Sequence, residues 1–208
     1  MILVGQYDSP YSRRVAISLM VLGIAYEHDT RSVFGDFDSM RRTNPLARIP
    51  SLILDDGTVL VDSAAILDWI DGSVGAERAL IPPSGLARRD ALQRIALANG
   101  AVDKIGGGRN YETLIRPSRY RWPEWIERTT TQGLGALEAL NACDWPAAAP
   151  VDQAQITTGC AIDYVKVTAS ELMPEGRFPV LDALWRRLAA RPEFRATSFS
   201  DYKVPRAD

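Results

Sequence analysis

The sequence predicts a two-part chain, a small mixed α/β domain followed by a domain built of helices alone. Three observations lead there. Strand-like runs are confined to the first sixty-one residues. A stretch rich in glycine and proline, Gly72–Gly85, then breaks the regular patterning. Beyond it, apolar residues recur only at helical spacing. The first domain is therefore placed at 1–76, a linker at 77–85 and the helical domain at 86–208.

Each element has a local reason. Met1–Val4 is short and wholly apolar, as a central strand is. Asp8–Arg14, reading Asp-Ser-Pro-Tyr-Ser-Arg-Arg, follows it as a tight turn into a helix. Pro10 suits the first helical turn, where a missing N–H costs nothing. Ser9 is then a helix cap beside unpaired amides, a place that favours an anion. Val15, Leu19 and Leu22, with Ala16 and Met20, give one buried stripe, and Gly23 ends the helix. Tyr26–Thr30 alternates like a half-buried strand, with His28 as a strand side chain. Phe34–Thr43 is mixed and polar, a loop or irregular helix. Asn44-Pro45-Leu46-Ala47-Arg48-Ile49-Pro50 is a structured turn into the strand Ser51–Leu54. Asp56-Gly57 signals a hairpin, with Thr58–Val61 returning. Asp62 or Ser63 caps the next helix, which carries Ala64, Ile66, Leu67 and Ile70. The order is β-α-β, then β-β-α.

Past the linker, Leu86–Lys104 places Leu92, Ile95, Ala96, Asn99 and Val102 on related faces, until Gly106-Gly107-Gly108 interrupts. Pro123 opens a helix through Ile126, Leu134, Leu137 and Leu140. Asp152–Thr168 is apolar all round, hence central, with Asp152 and Gln155 as a capping box. Phe178–Ala190 carries Leu181, Leu184, Trp185 and Leu188, and Pro192 ends it.

Composition removes several function classes. A hydrophobic share of 46% over 208 residues argues against disorder. A net charge of −2 gives no case for a nucleic-acid or anionic-membrane partner. Cys143 and Cys160 make neither a disulfide framework nor a metal cluster. The single His28 removes His-based metal sites and Ser-His nucleophilic triads. The opening apolar run lacks a basic lead and no run reaches membrane-span length, so a reducing cytoplasmic location is expected.

The first turn carries the chemistry. Cys-Pro-Tyr-Cys at a strand-to-helix turn is a thiol–disulfide site. Here both cysteine positions are serine, Ser9 and Ser12, so thiol exchange at this turn is excluded. A serine can still donate a hydrogen bond to another molecule's sulfur. Ser9 as a plain cap remains the alternative.

Three ordered runs then carry a resemblance that spans essentially the whole chain. Ser9-Pro10-Tyr11-Ser12-Arg13-Arg14-Val15 resembles the Ser-Pro-Phe-x-Arg-Arg/Lys-Val run of serine-type cytosolic glutathione transferases. Asn44–Leu52 is similar to that family's Asn-Pro…Val/Ile-Pro-x-Leu segment. Asp62-Ser63 with Ile66 and Ile70 resembles its Glu/Asp-Ser-x-x-Ile motif, with Trp69 in the aromatic place. The likeness is to small bacterial members. It implies a thioredoxin-like first domain, a homodimer, a role in detoxification, and glutathione as co-substrate with no cofactor and no metal.

By the same resemblance Ser9 is catalytic, its hydroxyl bonding the glutathione thiolate. Ile49 and a cis Pro50 present backbone groups to the cysteinyl unit. Asp62 takes the γ-glutamyl ammonium and Ser63 the carboxylate; Arg48 reaches the glycyl end. Tyr7, Tyr11 and Ser12 lie near enough to Ser9 to be rival hydroxyls. A hydrophobic electrophilic small molecule is expected between the domains, against Tyr11, Arg109, Tyr111, Trp122 and Trp125. The rival reading is a binding protein of this fold with little or no transferase activity. Cys143 and Cys160 are expected to be small buried fillers.

Overall fold

A computed structural model describes residues 1–199. They divide into two compact units, one running from Met1 to Gly85 and including a segment that begins at Arg191, the other Leu86–Ala190.

The first unit holds a four-stranded sheet of β1 (Ile2–Val4), β2 (Glu27–Asp29), β3 (Ser51–Ile53) and β4 (Val59–Val61), in the order β2-β1-β3-β4. β1 runs parallel to β2 and antiparallel to β3, so the all-apolar strand is central, as its sequence predicts. Register explains the layers. Ile2 faces Ile53 and Leu3 faces Leu52 across the ladder. Ile2, Val4 and Ile53 share one side and pack with Met40 of α2 (Phe37–Thr43) and with Ala47 and Ile49. Leu3 and Leu52, on the opposite side, are fully buried.

α1 (Pro10–Val21) is wrapped almost all round rather than along one stripe: Ser12, Arg13, Arg14 and Ser18 are buried with Val15, Ala16, Ile17 and Leu19. Two buried arginines need partners, and each has one. Arg13 donates from Nη2 to the Phe194 carbonyl at 3.1 Å and from Nε to Thr197 Oγ1 at 3.3 Å. Its guanidinium lies 5.5 Å from the Phe194 ring centre. These contacts dock α8 (Pro192–Ala196) on the first unit. The expected helical domain over 86–208 is corrected accordingly, since the chain leaves it after Ala190. Pro192, read as the end of a helix, instead opens this short one.

α2 is a regular helix where a loop or irregular helix is expected. Arg31 supplies the reason: it bridges Asp29 Oδ2 at 2.8 Å, the Ser39 carbonyl at 3.2 Å and Thr43 Oγ1 at 2.9 Å. One cation thus ties β2 to α2. α3 (Ser63–Val74) packs against α1, β3 and β4 with Ile66, Leu67 and Ile70.

The second unit contains α4 (Gly85–Val102), α5 (Pro123–Asn141), α6 (Gln153–Thr168) and α7 (Pro179–Ala189). α4 buries Ala91, Ile95, Ala98, Ala101 and Val102, whereas Leu92 and Ala96, expected on that face, are exposed. α6 is buried along nearly its whole length, which confirms it as the central helix. Asp152 Oδ1 accepts the Gln155 amide at 2.7 Å, the forward half of the expected box. Cys160 is buried, but Cys143 is only half-buried, its thiol donating to the Ala139 carbonyl at 3.4 Å.

The triple glycine does not interrupt the chain's coiling. Asp103–Ile115 continues α4 directly as a π-helix. Two of the three glycines, Gly106 and Gly108, are there for close packing. A Cβ on Gly106 would lie 2.7 Å from the Tyr164 hydroxyl oxygen of α6, and one on Gly108 2.7 Å from Thr129 Cγ2 of α5. Gly133 of α5 returns the contact, since its Cβ would meet Ile105 at 2.5 Å. Gly107 faces open space.

Candidate functional site

The candidate site forms where β1 ends. Gly5 follows the strand with φ +131°, a conformation glycine tolerates. A Cβ there would lie 2.6 Å from Ser12 Oγ and 2.7 Å from Ile49 Cβ. Gly5 therefore lets the first turn of α1 and the Asn44–Pro50 turn close onto one point.

Ser9 is the N-cap of α1, with φ −78° and ψ 119°. Its Oγ accepts the Ser12 amide at 3.4 Å, longer than an ordinary hydrogen bond. The Arg13 amide closes the turn on the Ser9 carbonyl at 2.9 Å. Among the described residues no acceptor takes the Ser9 hydroxyl proton.

The neighbouring hydroxyls are differently placed. Tyr7 stacks on His28, ring centres 3.9 Å apart and planes 8° from parallel. Its hydroxyl shares a 2.8 Å hydrogen bond with Tyr26. Burial pushes the Tyr7 hydroxyl above its ordinary pKa, the bond to Tyr26 offsetting only part of this. Tyr26 is raised further, by burial and then by Tyr7 itself. His28 Nε2 lies 2.9 Å from the Gly5 carbonyl and donates to it. His28 is thus a structural strand residue. Ser12 Oγ is fully buried, with no hydrogen-bond partner among the described residues.

The second turn is held by Asn44. Its Nδ2 donates to the Arg48 carbonyl at 2.9 Å and to Ser51 Oγ at 3.1 Å, and its Oδ1 accepts the Leu46 amide at 2.8 Å. The Ile49–Pro50 peptide bond is cis. β3 starts at Ser51, so the main-chain groups of Ile49 lie beyond its ladder. Arg48 itself is exposed.

The third group opens α3. Asp62 caps it, accepting the Ala64 amide at 2.8 Å from a backbone with φ +70°. A non-glycine residue in that region costs on the order of 1–3 kcal/mol, and such strain clusters at functional sites. Asp62 is exposed and Ser63 is 3% exposed. Ser63 is held from below by Arg14, whose Nε and Nη2 lie 3.1 Å and 2.7 Å from its Oγ.

The remaining candidates are Tyr11 in the first unit and Arg109, Tyr111, Trp122 and Trp125 in the second. Tyr11 is half-buried in the first turn of α1. Arg109 and Tyr111 lie on the π-helix, where Arg109 is ion-paired with Glu171 at 2.6 Å and Tyr111 is 47% exposed. Trp122 is 58% exposed and stacks on Trp125 at 6.0 Å. Among the described residues, no three His, Cys, Asp or Glu side chains group as metal ligands. No helix among them is long and apolar enough to cross a membrane.

Residues 3–78 match the family model described as glutathione S-transferase, N-terminal domain. A glutathione transferase family member from Pseudomonas fluorescens Pf-5, solved with bound glutathione, shares 32% identity. The match covers 96% of this chain and 98% of that one, with a TM-score of 0.82. The chain belongs to the glutathione transferase family. A Methylobacterium radiotolerans glutathione S-transferase, solved with glutathione sulfonate, is 26% identical; the match covers 100% of this chain and 99% of that one, with a TM-score of 0.89. The GST-like protein YibF of Escherichia coli K12 is 26% identical over 166 residues, 78% of this chain and 81% of its own.

The matched transferase segment contains Ser9, Arg48, Ile49, Pro50, Asp62 and Ser63. It also contains Gly5 and Arg14, for which the sequence alone suggests no role, and Asn44, which it places only in a turn. The one local signal is a glycine directly after an apolar strand. Arg14 and Ser63 are 49 residues apart, and no spacing rule joins them.

Proposed function

We propose that this family member is an enzyme that binds glutathione, favours its thiolate and adds it to a hydrophobic electrophile. The observation that carries the reading is the Ser9 hydroxyl. It stands at the start of a twelve-residue helix, half-buried, with its proton uncommitted among the described residues. Tyr7, the strongest rival, is tied to Tyr26 and pushed up in pKa.

The chemistry follows. A free thiol titrates near about 8.5, so most of it is protonated at neutral pH. A hydrogen bond to a charged group contributes about 1.5–3 kcal/mol, or about one to two pKa units. The helix dipole acts in the same direction. The bound sulfur is then mostly thiolate and attacks the electrophile: a C–S bond forms, and either a leaving group departs with its electron pair or the addition product takes up a proton. Glutathione is consumed as co-substrate and no cofactor enters. Ile49 presents main-chain groups to the cysteinyl unit, Asp62 and Ser63 hold the γ-glutamyl end, and Arg48 offers a cation to the glycyl carboxylate. Tyr11, Arg109, Tyr111 and Trp122 are proposed to contact the electrophile; Arg109 would do so without leaving Glu171.

Ser9→Ala tests it. Glutathione binding by calorimetry should change little. The bound thiol's pKa, read from thiolate absorbance, should rise by about one to two units, and turnover with an aryl halide should fall about 10- to 100-fold. An unchanged thiol pKa and turnover would reduce Ser9 to a helix cap.

A further inference from the structure

The Ser63 hydroxyl has one proton to give and two lone pairs to receive with. Arg14 fills the receiving side, its Nε and Nη2 lying 3.1 Å and 2.7 Å away. Arg14 is 2% exposed and Ser63 3%, so water does not compete for this contact. A guanidinium is permanently charged, has only donors and holds them in a fixed fork. Both lone pairs of Ser63 are therefore committed toward α1, and its proton must point away from Arg14. Among the described residues no group accepts that proton. Bonds donated by a cation also polarise the O–H, which makes it a stronger donor to an anion.

We propose that Arg14 is a positioning residue that acts through Ser63, fixing and strengthening its O–H as a donor to the α-carboxylate of a bound γ-glutamyl group. This rests on the proposed glutathione reading and adds the residue that sets the selectivity of that end. The device is a relay: a buried cation on α1 orients a hydroxyl on α3, and only the hydroxyl meets the ligand. Asp62, beside it, is exposed and spends one carboxylate oxygen on the Ala64 amide. The acid beside Ser63 is thus open to solvent, while the cation behind it is not.

The test is calorimetric titration with two ligands, glutathione and its γ-aminobutyryl analogue, which lacks only the α-carboxylate. Arg14→Lys keeps the charge and most of the bulk but loses the fork. It should weaken glutathione binding about tenfold and analogue binding less than about twofold. Ser63→Ala should show the same split, and the double variant should be little worse than either single one, because both act on one bond. Should Arg14→Lys fail to melt cooperatively, Arg14→Gln takes its place with the same expectation. Equal weakening toward both ligands would make Arg14 merely structural and overturn the proposal, as would no weakening toward either. Failure of the unsubstituted protein to bind glutathione is a separate result, and it would remove the functional reading itself.

Discussion

Tyr7, Ser9 and Ser12 each bring a hydroxyl to the first turn of α1, and their surroundings sort them. Tyr7 has its proton shared with Tyr26 and its ring laid on His28, so it serves packing. Replacing it with Phe removes one half-buried hydrogen bond. The prediction is a stability loss of about 1 kcal/mol, read by denaturant unfolding, with turnover within about twofold of the parent and the bound thiol's pKa unmoved. A rise of a full unit in that pKa would make Tyr7, not Ser9, the activating group. Ser9 and Asp62 are legible in the sequence because capping is a local contract between a side chain and amides two or three residues on. Gly5 and Arg14 are not, because what each touches lies far along the chain, at Ile49 and at Ser63.

Among the elements, the π-helix shows where local propensity misleads. Three glycines in a row read as a break, since each costs about 1 kcal/mol in a helix interior. The winding continues because two of the three are required for contact, against Tyr164 and Thr129. The consequence is a graded alanine series read by thermal melting. Gly107→Ala, facing open space, should be neutral or stabilising by about 0.5–1 kcal/mol. Gly106→Ala and Gly108→Ala should each destabilise by about 1–3 kcal/mol through overpacking. Three equal effects would mean that close packing is not what keeps the glycines. The same blindness applies to α2, whose polar sequence hides an anchor, Arg31, that lies outside the helix.

For the whole molecule, the two-part division was legible from where strand patterning stops, but the fate of the last described helix was not. Nothing in Pro192–Ala196 itself announces that Arg13 will receive it. The two units also carry acids with opposite responses to pH, which allows each to be read separately. In the first, burial works against the Asp29 carboxylate, but Arg31 outweighs it through a side-chain bond, a backbone bond and its charge, and holds the pKa low. In the second, burial pushes Asp152 up, ahead of the bonds from Gln155 and Ala154 and the charge of Arg94. A depressed acid contributes stability above its unfolded pKa, near about 3.9, and loses it as pH falls through the lower folded value. A raised acid does the reverse: the folded state holds the proton more tightly, so stability falls as pH rises from about 3.9 through the higher folded value. Asp29→Asn should therefore lower the melting temperature at pH 7, with the deficit closing as pH drops below about 3.9. Asp152→Asn keeps a good N-cap and sheds a half-buried charge, so its melting temperature relative to the parent should rise between about pH 4 and neutrality. Asp152→Ala, which also removes the cap, should instead lose about 1 kcal/mol. Parallel pH dependence of the two asparagine variants would show that neighbouring charges and burial do not set these acids apart.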